Sequence, residues 1–90
     1  MSLIDDVNKF LVCGKNDDAL ALLDTQIKIN PDDDELYYLK GKIYHKQQDW
    51  KNAIENYQHA VYLNEGSPAR ETLKLVNKIL LFYNKDVFNQ

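Results

Sequence analysis

A chain of 90 residues is long enough for one domain with a modest core and too short for two. Its net charge is −3 with acids and bases interspersed, so it has no basic stripe to displace counterions from phosphates, and no nucleic-acid partner is expected. Glycine and proline are scarce, which leaves an all-helical reading unforced, and the lone Cys13 cannot form an internal disulfide, which fits a cytoplasmic setting.

The first ten residues, MSLIDDVNKF, lack both a basic n-region and a long apolar core, so neither a signal peptide nor a membrane span is expected. Residues 2–13 have helical periodicity instead: Leu3, Val7 and Phe10 share a face, Ile4 and Leu11 adjoin it, and Ser2 with Asp5 makes a weak capping box. Gly14 stops this helix. Asn16 is the expected cap of the next, with Asp17 and Asp18 favourably placed in its first turn. Ala19, Leu20, Leu23, Ile27 and Ile29 give the second helix its buried stripe. Asn30 and Pro31 end it, because proline drives the preceding residue out of helical geometry.

The acids Asp32, Asp33, Asp34 and Glu35 lack the alternation, the central glycine and the distant glutamate of a calcium loop, so their role is to favour a helix N-terminus. Two amphipathic segments follow, joined at Gln47, Gln48 and Asp49. Large apolar residues recur in them at helical spacing (Tyr37, Tyr44, Trp50, Ile54, Tyr57, Val61), around the small residues Gly41, Ala53 and Ala60. Gly41 facing Ala53 would let the two axes approach closely, with the aromatics filling the space on either side. A fifth helix starts where Ser67 caps, Pro68 suits the first position and Glu71 lies in the first turn. On it Leu73, Val76, Leu80 and Tyr83 cluster on one side, and Leu75, Ile79 and Phe82 extend the apolar arc to roughly half the circumference.

The order of large and small residues from Asp34 onward resembles the tetratricopeptide repeat, a helix–turn–helix unit of about 34 residues that works by stacking. Tyr37, Gly41, Tyr44, Ala53, Tyr57 and Ala60 fill the family's aromatic and small positions in order. Two positions depart. Glu65 stands where the family closes with Pro, with Gly66 beside it to carry the turn, and Lys40 stands where Leu is frequent, with Leu39 beside it to pack. One repeat length earlier, Val7, Ala19, Gln26 and Pro31 fall opposite Gly41, Ala53, Ala60 and Glu65, so the first hairpin is a degenerate copy of the second. The fifth helix matches the first helix of a third repeat, with Leu75 at the Gly position and too little chain after it for a partner helix. The resemblance therefore implies an all-α tetratricopeptide-repeat domain of five helices. Its parts are a degenerate repeat over 1–31, a second over 32–66, a capping helix over 67–84 and a tail over 85–90, wound as a short right-handed superhelical array.

Function in this family lies on the concave surface lined by the first helix of each repeat, and the resemblance implies a protein or peptide partner held there. The matching positions are Ile4, Asn8 and Leu11 in the first repeat, Glu35, Tyr38, Lys42, His45 and Lys46 in the second, and Thr72, Val76 and Ile79 in the capping helix. The alternative is a self-associating scaffold: a homodimer through the last helix, using Tyr62, Leu75, Ile79 and Phe82, unless Val87 and Phe88 of the tail fold back over that face. The lysines, asparagines and arginine with which co-chaperone members of the family grip a C-terminal carboxylate are replaced by Ile4, Asn8, Leu39, Ala69 and Leu73, where only Asn8 matches, so no such clamp is expected. In the repeat register His45 faces the concave side and His59 the outside, so no metal is expected between them. No nucleophile has a base beside it and no Gly-rich loop is present, so neither an enzyme nor a cofactor is expected.

Overall fold

The structure, a computed structural model, describes residues 3–83, with the side chains of Phe82 and Tyr83 outside that description. The capping box at Ser2 and the tail with Val87 and Phe88 also lie outside the described residues. The described residues form five helices: α1 (Leu3–Val12), α2 (Asn16–Ile29), α3 (Asp34–Lys46), α4 (Trp50–Leu63) and α5 (Ala69–Tyr83). Each packs chiefly on its neighbours in sequence, with α3 against α4 the most extensive interface.

The turns of the two hairpins are built alike. In the first, the Gly14 and Lys15 amides donate to the carbonyls of Leu11 and Phe10, at 3.1 and 2.8 Å; in the second, the Gln48 and Asp49 amides donate to His45 and Tyr44, at 3.0 and 2.9 Å. Both are Schellman closures, which require a left-handed residue just past the helix. Gly14 supplies it at φ 75°, and Gln48 adopts it at φ 61° without glycine's freedom. The last residue of each closure is also the N-cap of the next helix. Asp49 fills that role with its carboxylate, which accepts from the Asn52 amide at 3.4 Å. At the first turn the cap position belongs to Lys15, whose side chain makes no capping bond, and the expected cap Asn16 is already the first helical residue. The connection into α5 repeats the one into α3. Asp33 accepts from the Glu35 amide at 3.0 Å, and the Ser67 hydroxyl accepts from the Ala69 amide at 3.1 Å, in keeping with its expected capping role.

The core is a strip with α3 at its centre. Val7, Ala19 and Leu23 pack with Leu36 and Ile43 on one side of α3; Ala53, Tyr57 and Ala60 pack with Ala69, Val76 and Leu80 on the other, where Tyr37, Tyr38 and Tyr44 join them. At Gly41 the nearest side chain across the second hairpin is Tyr57, one turn beyond the expected Ala53. A Cβ at position 41 would lie 2.5 Å from two carbons of the buried Tyr57 ring. Lys40 is explained by Asp24 of α2, whose carboxylate lies 2.7 Å from its Nζ, so the departure from leucine ties the two hairpins together at the surface. Ile29, expected in the buried stripe of α2, is 65% exposed, because it is the last residue of its helix and extends past the strip.

The last helix does not use the repeat register. The positions with which α3 packs on the preceding hairpin, Leu36 and Ile43, correspond one repeat on to Arg70 and Asn77, and both are exposed. Helix α5 instead buries Ala69, Val76 and Leu80, with Leu73 against the same cluster, an i, i+4, i+7, i+11 stripe set back by one residue. Polar groups at two contact positions and an apolar stripe beside them rotate the helix by about 100°.

Candidate functional site

Helix α3 turns one side to the hairpin before it and another to the hairpin after it, which leaves a third side open. Along that open side run three depressions, of about 310, 340 and 230 Å³. Tyr38 lines the first two, and Asp33 and Glu35 line the last two, so the three adjoin one another in a row from Ile4 at one end to Lys46 at the other.

The 310 Å³ end brings together Tyr38, Lys42, His45 and Lys46 of α3, Tyr57 of α4 and Thr72 of α5. Five of these are sequence-predicted site residues. Lys42 Nζ lies over the Tyr38 ring, 5.4 Å from its centroid, and the Tyr38 ring is tilted against that of Tyr57 at 5.9 Å. Tyr57 is the residue that sequence reasoning assigned to packing alone. Its hydroxyl lies 3.1 Å from His45 Nδ1. Burial, with Tyr38 adding to it, pushes the Tyr57 phenol well above the ordinary tyrosine range, so a protonated hydroxyl shares this hydrogen bond with Nδ1, and the imidazole tautomer sets which of the two donates. The signal for this lay in the choice of Tyr over Phe at a buried aromatic position.

The other expected residues divide. Glu35 lines the middle of the groove and Ile4 its far end. Asn8 lies apart, in a separate depression with Asp5, Lys9, Val12 and Cys13. Leu11 packs against the first core cluster. Val76 is a correction: it is fully buried in the second cluster, because the rotation of α5 turns that position inward. Ile79 is half-buried. On the outer face Tyr62 and Leu75 are 85% and 57% exposed, joined by Leu81 at 51%. His59 is exposed, and its ring lies flat on that of Tyr37, 3.9 Å between centroids. Among the described residues no cluster of His, Cys, Asp and Glu could hold a metal ion, and no helix is long and apolar enough to cross a membrane.

Helical hairpins stacked in sequence order, with a groove along one helix, define a helical-repeat protein. Residues 8–48 match a family model described as TPR repeat, and residues 34–67 match one described as tetratricopeptide repeat. The solution NMR structure of protein BF1650 of Bacteroides fragilis is similar over all of this chain and 92% of its own, at 41% identity and a TM-score of 0.89. No curated protein matches the chain. The chain belongs to the tetratricopeptide repeat family. Repeats of this kind generally mediate protein–protein interaction and are typically non-catalytic.

Proposed function

We propose that this chain is a protein-interaction module of the cytoplasm that holds an extended peptide, or one helix of a partner, in the groove along α3. The observation that carries this reading is the convergence of Tyr38, Lys42, His45, Lys46, Tyr57 and Thr72 from three helices on one depression. It offers aromatic surface together with hydrogen-bond donors, which suits a peptide backbone and its side chains. The groove is open and shallow, with no closed pocket to exclude water, which favours binding over catalysis. In this reading the repeats span 1–31 and 32–66, α5 caps the array, and the helices wind in the right-handed sense of the family.

A second reading, self-association through α5, is favoured by Leu75 and Leu81, which leave apolar surface open on the side where a further helix would pack. The two readings separate in one experiment. Replacing Tyr38, Lys42 and Lys46 together by Ala spares His45 and Tyr57 and is expected to abolish capture of partners from cell extract, while helical circular dichroism and a cooperative urea transition persist at a lowered midpoint, because Tyr38 packs on the second core cluster. Identical partners for wild type and variant would contradict the groove reading.

A further inference from the structure

We propose that the segment this groove takes is acidic, with an internal Asp or Glu side chain seated at the Lys42 and Lys46 end. This rests on the groove reading above and names the chemistry of its partner. Lys42 and Lys46 stand one turn apart on α3, both exposed, and like charges at that spacing destabilise a helix. Elsewhere on the surface Lys40 pairs with Asp24 at 2.7 Å and Lys74 with Glu71 at 3.6 Å. Among the described residues neither Lys42 nor Lys46 has a carboxylate within ion-pair distance. The helix dipole accounts for Lys46, which lies in the last turn, but not for Lys42, which is in the middle of the helix. Lys42 is instead held over the Tyr38 ring at the edge of the depression.

Three features make the site complementary to a carboxylate. Lys42 and Lys46 both line it; His45, whose Nδ1 meets the Tyr57 hydroxyl, adds a polar ring; and no carboxylate lines this depression. The neighbouring depression, on the far side of Tyr38, is lined by Asp33, Asp34 and Glu35, which repel an acidic group and so fix the end at which it sits. A side chain within a segment fits better than a C-terminal carboxylate. The positions that grip a chain end elsewhere in the family hold Ile4, Leu39, Ala69 and Leu73 here, and Ala69 is fully buried.

The test is selection of random dodecapeptides displayed as N-terminal fusions, which carry no free C-terminal carboxylate. On wild type the expected peptides are enriched in Asp or Glu, and synthetic amidated copies bind at least tenfold more weakly when salt is raised from about 0.05 to about 0.5 M. They should lose at least tenfold in affinity to Lys42→Ala/Lys46→Ala. Selection on Lys42→Glu/Lys46→Glu should enrich Lys and Arg instead. Both positions are exposed, so circular dichroism of these variants should match wild type and their urea midpoints should shift only slightly. Neutral or basic peptides that bind wild type, lose affinity to Tyr38→Ala and ignore the lysine variants would overturn the acidic partner and leave the groove standing. Peptides indifferent to Tyr38→Ala and to both lysine variants would overturn the groove as well, as would a selection that enriches nothing.

Discussion

Gly41 and Tyr57 meet where an added methyl group would collide with a buried ring, and through Tyr57 the same contact reaches one end of the groove. The ring that fills the space left by Gly41 is the one whose hydroxyl meets His45. Reading the hairpin position by position pairs Gly41 with Ala53, since both are small. The long side chain of Tyr57, one turn further along the same face of α4, reaches over instead, and a pattern of sizes does not record how far a ring extends. Gly41→Ala therefore places a methyl group against a ring that has nowhere to go, at an expected cost of about 1–3 kcal/mol in urea unfolding. Gly66→Ala meets only the Asn64 side-chain oxygen at 3.4 Å and should cost far less. Equal shifts for the two would mean that Tyr57 is not held against α3.

At the scale of elements, the two hairpin turns each have half of an ideal solution. The first has glycine at the left-handed position and no capping side chain; the second has the Asp49 cap and places Gln48 at φ 61°. Giving each turn what the other has should stabilise the fold. Lys15→Asp supplies a cap worth about 1 kcal/mol. Gln48→Gly relieves the left-handed strain, and after the added freedom of the unfolded chain a gain of about 0.5 kcal/mol is expected. Thermal midpoints of the two variants and their combination check both values, and a loss at either site would contradict the turn geometry. Helix α5 is the element where family register and physical pattern disagree. Its apolar stripe is plain in the sequence, but the transferred register placed Val76 on the binding floor. The register assumed that each helix meets its neighbour as the previous one did; Arg70 and Asn77 at the contact positions break that assumption. Accordingly Val76→Glu should cost about 3 kcal/mol or more, because it buries a charge, whereas Leu75→Glu should leave stability nearly unchanged. Similar losses for both would restore the unrotated helix.

Taken whole, the molecule is a strip measuring 44 × 29 × 18 Å, with a radius of gyration of 13.7 Å. A compact chain of this length would have a radius near 12 Å. The extended shape follows from stacking neighbours only, and it is what leaves one side of α3 open as a groove. The five helices and the family were legible because small and large residues fall at fixed intervals along α3 and α4. Tyr38, Lys42, His45, Lys46 and Thr72 were legible as a group for the same reason. Asn8 and Leu11 do not line the same depressions as the others, and the first hairpin keeps the spacing but not the packing residues: Val7 stands where Gly41 would let a ring in. Tyr57 was not legible as a lining residue because a buried aromatic at a repeat position reads as packing, and only the structure shows its hydroxyl reaching the depression. The most direct test of the account is an amide chemical-shift titration of the protein with a peptide taken from a captured partner. The account predicts that shift changes are concentrated at Tyr38, Lys42, His45, Lys46 and Thr72. Changes concentrated instead around Leu75 and Leu81 on the outer face of α5, with the groove unmoved, would contradict it.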